Sequence, residues 1–225
     1  MNNIRRLDKI DIPSYTFSQE LFNSVSHLFG IPLGLISITI GTILYFLHGL
    51  QLIYYIGLLV FGVTTILLYL MSSLYHIETP VKESSKKIKR IVDHCTIYLL
   101  IAGTYTPICL YLNSINQIGL ILLIVEWALA IIGIIINAID LTNKFVKCFS
   151  MFLYLALGWL ILFSGAFIYL PFKPFLFILL GGITYTIGSI TYGIGHKNLS
   201  FHCVFHIFVL LGTILQTIGV IQLFI

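Results

Sequence analysis

Long apolar segments dominate this chain and restrict what it can fold into. Each runs for about 20 residues, the length that a helix needs to cross the hydrocarbon core of a bilayer. Seven segments qualify: 28–47, 52–75, 91–112, 117–138, 147–169, 173–194 and 202–224. Only 9% of the 225 residues are charged, against about 25% in a typical soluble domain. The sequence therefore predicts an all-α, polytopic membrane protein, in which residues 1–225 form a single bundle of seven transmembrane helices.

The basic residues are distributed unequally between the two sides of this predicted bundle. Eleven of the 12 lysines and arginines fall in the N-terminal arm (1–27) and in the loops on the same side, and Lys173 alone faces the other side. Loops rich in lysine and arginine stay in the cytoplasm. We therefore expect the arm to be cytoplasmic and the C-terminus to lie outside. Because the basic residues lie in short loops, we expect membrane lipids as partners and no nucleic acid.

A few polar residues nonetheless fall inside the predicted spans, where ionisable groups are costly unless they are paired or bound to a metal. Ser72 and His76 lie at the cytoplasmic end of the second span, and Asp93 lies in the first turns of the third. His202 and His206 lie in the first turns of the seventh. Residues four apart share a face of a helix, so each of the two pairs points in one direction. Three segments that are distant in sequence thus place these side chains at one depth.

Three histidines and a carboxylate at one depth are a ligand set typical of zinc. Two histidines at i and i+4 can hold one metal ion from a single helix. With His76 as the third ligand, the fourth position would be open to water, as in catalytic zinc sites. Zinc lowers the pKa of such a water to about 7, so a zinc-bound water is the expected nucleophile. Asp93 would ligate the metal or accept the proton of this water, and Ser72 would hydrogen-bond Asp93 or stabilise an oxyanion.

A polar network without a metal is the alternative. In that interpretation Asp93 pairs with a protonated His76, and the two histidines of the seventh span bond to backbone carbonyls. Such a network would be structural and would predict no chemistry.

The same residues resemble the motifs of a known family. Residues 72–76 (SSLYH) resemble the S-x-x-x-H motif of the PAQR family, which includes the progestin and adiponectin receptors and the bacterial hemolysin III proteins. Residues 93–107 (DHCTIYLLIAGTYTP) resemble its third-span signature, and residues 202–206 (HCVFH) resemble its H-x-x-x-H motif. Residues 20–27 (ELFNSVSH) resemble the entry segment of the bacterial branch. The short arm and short loops favour the hemolysin III branch.

This resemblance implies a seven-helix bundle with a cytoplasmic N-terminus, in the plasma membrane of a bacterial cell. It implies zinc bound by His76, His202 and His206, with Ser72 and Asp93 beside the metal and a water between. Three functions then compete. The first is a zinc-dependent, ceramidase-like hydrolase of lipid amide or ester bonds, with Asp93 and Ser72 as catalytic residues. The second is a pore-forming cytolysin, and the third is a lipid-sensing receptor that regulates membrane lipid composition and contains a structural zinc.

Two further polar residues, Glu20 and His27, precede the first span and are open to two interpretations. They could form an outer layer that orients a ligand histidine. They could equally belong to an amphipathic helix at the membrane surface, with His27 at the level of the headgroups. The sequence does not choose between these.

Overall fold

Helices are the expected form for this chain, because a segment within lipid has to pair its backbone groups internally. The computed structural model describes residue 7, residues 10–195 and residues 198–225, and no strand occurs in those ranges. The α-helices are α1 (Phe17–Leu28), α2 (Ile31–His48), α3 (Leu52–Ile77), α4 (Glu83–Asn113), α5 (Ile118–Asp140), α6 (Lys144–Gly158), α7 (Leu160–Phe163), α8 (Phe172–Gly195) and α9 (Ser200–Gln222). Two 3-10 turns cover Pro80–Lys82 and Ala166–Tyr169. The prediction of an all-α membrane bundle is confirmed.

Six helical stretches of the described chain are long and apolar enough to cross a membrane. They are Phe17–His48, which joins α1 and α2, and the helices α3, α4, α5, α8 and α9. Together they contain six of the seven predicted spans, so the chain is a multi-pass membrane protein. The predicted orientation depends partly on Arg5, Arg6, Lys9 and Lys197, which lie outside the described residues, and it stays a prediction.

The predicted span 147–169 requires a correction, because it is not one continuous helix. Helix α6 ends at Gly158, and only the four residues of α7 follow before the chain turns again. The Tyr105 hydroxyl donates to the carbonyl of Gly158 at 3.0 Å and accepts from the amide of Ile161 at 3.1 Å. A side chain of α4 therefore pairs the backbone groups that the break releases, which makes the break tolerable in an apolar environment.

Helix α1 buries its polar face and exposes its apolar face. The buried residues are Asn23, Ser24 and His27, whereas the exposed ones include Phe17, Leu21, Phe22, Val25 and Leu28. A helix on a water-soluble protein does the reverse, so the outer face of α1 requires lipid. Two reciprocal hydrogen bonds dock α1 on α3: Ser24 Oγ donates to the Ser73 carbonyl at 3.1 Å, and Ser73 Oγ to the Ser24 carbonyl at 3.0 Å.

Helix α4 is the most buried of the membrane-spanning helices in the described chain. It packs closely on α3 because Gly103 has no side chain: a Cβ there would come within 2.8 Å of Thr64 Cβ. This close approach brings Asp93, in the third turn of α4, next to the end of α3, with His76. Lys82 and the basic residues in the first turns of α4 (Lys86, Lys87, Lys89 and Arg90) lie at the same end of the bundle, hereafter the basic end.

Candidate metal centre

Three histidine side chains from two helices meet near the basic end. His76 lies in the last turn of α3, and His202 and His206 lie in the first two turns of α9. The Nε2 atoms of His202 and His206 are 3.1 Å apart, and those of His202 and His76 are 3.4 Å apart. His202 and His206 share a face of α9 because they lie four residues apart, and His76 lies at the same depth on α3. The three side chains thus converge as the sequence predicted.

The separations fit a four-coordinate zinc ion. Zinc–nitrogen bonds of about 2.0–2.1 Å in a tetrahedron place neighbouring nitrogens about 3.3–3.4 Å apart. A neutral imidazole has a single N–H, so three ring nitrogens that face one another cannot all be paired by hydrogen bonds among themselves. One cation between them would use all three lone pairs. The donor set of His76, His202 and His206 is therefore suited to zinc.

Glu20 contacts the other ring nitrogen of His76. Its Oε2 atom lies 2.6 Å from His76 Nδ1, and its Oε1 atom accepts from the ammonium group of Lys86. Both His76 and Lys86 are only 1% exposed. The sequence left two interpretations of Glu20 open. The structure agrees with the one in which Glu20 lies behind a histidine of the site, because it places Glu20 directly behind His76.

His27 packs against the histidine triad instead of lying among the headgroups. Its ring centroid is 3.7 Å from that of His206 and 5.0 Å from that of Tyr69. The side chain is 3% exposed, so the interpretation that places it at the membrane surface is wrong for this residue. The ring of His27 therefore restricts the position of the His206 ring.

Ser72 and Asp93 line the same cavity as His202 and His206. The Ser72 hydroxyl lies next to the Asp93 carboxylate, where α3 packs on α4 beside the histidines. All five predicted site residues are thus brought together, and their catalytic and ligand roles stay predictions. His94 follows Asp93 in sequence and also lines the cavity, but it does not belong to the histidine triad.

The cavity beside the triad has a volume of about 560 Å³. At the basic end, hereafter its mouth, the cavity is lined by Asp11, Arg90 and Lys147, and it extends between the helices to Gly182 and Gln216. Away from the mouth, the wall is largely apolar or aromatic and includes Ile97, Leu100, Ile101, Leu155, Trp159 and Val209. A cavity of this size with a polar mouth and an apolar interior suits a small amphiphilic molecule.

Tyr15 covers the triad on the side of the mouth and was not predicted. Its ring stacks on that of His202, with centroids 5.1 Å apart and planes at 25°, and its edge contacts His76 at 5.8 Å. The segment before α1 holds it there, since the guanidinium group of Arg90 donates to the carbonyl of Asp11. This segment has no helical or strand periodicity, so no sequence pattern could have indicated that it folds over the site.

Comparisons with known proteins agree with these observations. The family model described as "Haemolysin-III related" matches residues 15–217, which include every residue of the site. A protein named "Hemolysin-3 homolog" from Bacillus subtilis (strain 168) is 36% identical over 201 residues, covering 88% of this chain and 91% of the relative. "Hemolysin-3" from Bacillus cereus is 37% identical over 198 residues, covering 87% of each chain.

Proposed function

The chain belongs to the haemolysin-III-related family, as its motifs predicted, and from this premise we propose that it is a zinc-dependent hydrolase of membrane lipids. The bond to be cleaved is an amide or an ester of an acyl chain, near the cytoplasmic face of a bacterial plasma membrane. The observation that carries the proposal is the spacing of the three Nε2 atoms beside a cavity that Ser72 and Asp93 also line. A structural zinc site is closed by four protein ligands, whereas the described residues offer a cluster of three histidines.

The residues of the site have different parts in this reaction. His76, His202 and His206 would hold the ion, which would supply a Lewis acid for the substrate carbonyl and make water more acidic. The Asp93 carboxylate is the general base, since it can take a proton from water and pass it to the leaving group. The Ser72 hydroxyl lies next to Asp93 and would hydrogen-bond its carboxylate to hold it in the cavity wall.

The cavity supports a lipid as the substrate. Its apolar interior would take the acyl chain between the helices, while the polar mouth would take the headgroup. Arg90 and Lys147 at the mouth favour headgroups that carry or accept negative charge. An amide or ester at the junction of chain and headgroup would then lie at the depth of the triad.

The test combines metal analysis with a lipid panel. The protein is purified in detergent, its zinc content is measured, and hydrolysis of ceramides, other N-acyl amides and acyl esters is followed by mass spectrometry. We expect one zinc per chain and turnover of at least one class, and we expect His202→Ala to lose both. His48→Ala is the matched control, because His48 is exposed at the end of α2 and far in sequence from the site.

Two outcomes would count against a hydrolase. A zinc-loaded protein that cleaves no amide or ester in the panel contradicts the proposal. If such a protein instead retains a co-purified lipid intact, the zinc is structural and a lipid-sensing receptor is the better interpretation.

A pore-forming cytolysin is the second candidate, and the names of the two Bacillus relatives favour it. The polar side chains of the described spans argue against a pore through one copy, because the ionisable site residues gather at one end of the bundle. Dye release from lipid vesicles separates the two functions. Dye release that persists in the His202→Ala protein would favour a pore. Dye release that is lost together with zinc would not favour it.

A further inference from the structure

Glu20 lies outside the predicted set of site residues but contacts His76, and we infer that it is a positioning residue for this proposed metal ligand. This inference rests on the metal centre of the proposed function. It adds that the carboxylate of Glu20, anchored by Lys86, fixes the orientation of the His76 ring and thereby sets the affinity for the metal.

Helix α1 determines where Glu20 lies. The reciprocal hydrogen bonds between Ser24 and Ser73 fix α1 against α3. The two helices run in opposite directions there, so the residue one turn before Ser24 faces the residue about one turn after Ser73. These residues are Glu20 and His76, and their contact at 2.6 Å follows from the docking of the two helices.

The contact with Glu20 determines which nitrogen of the His76 imidazole carries the proton. A carboxylate can only accept a hydrogen bond, so the proton between Glu20 Oε2 and His76 lies on Nδ1. The lone pair of the ring then resides on Nε2, the atom that faces His202. A carboxylate behind a metal-bound histidine both orients the ring and makes its other nitrogen a better donor to the metal.

Lys86 anchors the carboxylate of Glu20. The ammonium group of Lys86 bonds to Glu20 Oε1 and donates to the carbonyl of Glu78 at 3.0 Å. It also lies 5.6 Å from the ring centroid of Tyr75. Each oxygen of Glu20 therefore has one partner, and the carboxylate cannot rotate away from His76 without giving up a buried ion pair.

A purely structural role of Glu20 is the competing explanation. In that case the carboxylate serves only to neutralise the buried Lys86, and His76 needs no partner. The two explanations differ for a chain that lacks both charges. If Glu20 only balances Lys86, then removing both charges restores the site, whereas a positioning role leaves His76 without its carboxylate.

The experiment measures metal affinity in the full-length protein in detergent. The variants are Glu20→Gln and the double variant Glu20→Gln/Lys86→Gln, which leaves no uncompensated charge if the single variant fails to fold. Affinity for Zn²⁺ is measured by competition with a chelator, and the absorption spectrum of the Co²⁺-substituted protein reports the geometry of the ligands. Glu83→Gln is the matched control, because the Glu83 side chain also pairs with a lysine, Lys87, and contacts no histidine among the described residues.

We expect Zn²⁺ to bind roughly 10- to 100-fold more weakly in both Glu20 variants, with an altered Co²⁺ spectrum, and unchanged binding in the control. Wild-type affinity in either the single or the double variant would overturn the inference. An unsubstituted protein that binds neither Zn²⁺ nor Co²⁺ would overturn this inference together with the proposed function. Metal binding that depends on Glu20 in a protein that cleaves no lipid would contradict the hydrolase and support the inference.

Discussion

Ser72 on α3 and Asp93 on α4 lie side by side in the wall of the cavity. Of the two side chains, only the carboxylate can take up a proton during hydrolysis, since a serine hydroxyl is itself protonated. The base of the proposed function can therefore be removed while the three histidines stay in place.

Asp93→Asn should retain zinc and lose turnover. Asparagine has the shape of aspartate and can still accept from Ser72, but it cannot accept a proton from water. A general base contributes about 10²- to 10⁴-fold to a rate, and we expect a loss of that size in lipid hydrolysis with unchanged zinc content. Asp140→Asn is the control, because Asp140 lies at the end of α5 and its Oδ1 accepts from Thr142. Equal turnover by the Asp93→Asn protein would exclude Asp93 as the base.

Tyr15→Ala should accelerate the loss of zinc, because the stacked ring covers His202 on the side of the mouth. Burial raises the pKa of the Tyr15 phenol above its ordinary value, so the ring is neutral and adds no charge to the site. A ring contact of this kind is worth about 0.5–1.5 kcal/mol, which corresponds to a rate of removal by EDTA roughly 2- to 10-fold higher. Tyr15→Phe retains the stacked ring and should lose zinc at the original rate. If the alanine and phenylalanine variants behave alike, the ring does not protect the metal.

Gly103→Ala should destabilise the bundle, since the new Cβ would lie 2.8 Å from Thr64 Cβ and force α3 and α4 apart. Overpacking of this kind costs about 1–3 kcal/mol, measured as a lower melting temperature in detergent. Gly193→Ala is the same change in a helix where a Cβ would meet no atom within 4 Å. Its melting temperature should stay the same or rise, because alanine is the better helix former. Equal shifts for the two variants would contradict the close packing of α3 on α4.

Tyr105→Phe should also lower stability, for a different reason. It removes the hydroxyl that pairs the carbonyl of Gly158 and the amide of Ile161, and each buried polar group left unpaired costs about 1–3 kcal/mol. Tyr111→Phe, on the same helix, is the control, because the Tyr111 ring contacts Phe224 and its hydroxyl makes no hydrogen bond within the described ranges. A Tyr105→Phe protein as stable as the control would show that the break in the fifth span does not depend on this hydroxyl.

The residues at the centre of the site could be found from the sequence because their spacing and depth are independent of tertiary detail. His202 and His206 share a face through a four-residue interval, and the lengths of the apolar segments set the level of His76. Asp93 followed from the same count of residues. Their common depth could be predicted without knowing which helix packs on which, whereas their convergence also requires the helices to be neighbours.

The surroundings of the site could not be found in this way. Whether Glu20 reaches His76 depends on the docking of α1, which two serine hydroxyls decide. The break after Gly158 likewise depends on Tyr105, a residue 53 positions earlier in the chain. Interactions of this kind are made by single side chains on different helices and leave no periodic pattern in the sequence.

The site is composed of residues from α1, α3, α4 and α9. This has a consequence for biosynthesis. Glu20 and His206 lie far apart in the sequence, so the three histidines cannot meet until α9 has been synthesised. A chain that stops before α9 lacks two of the three histidines. Any chemistry that the site performs on the surrounding lipids therefore depends on α9 being in place.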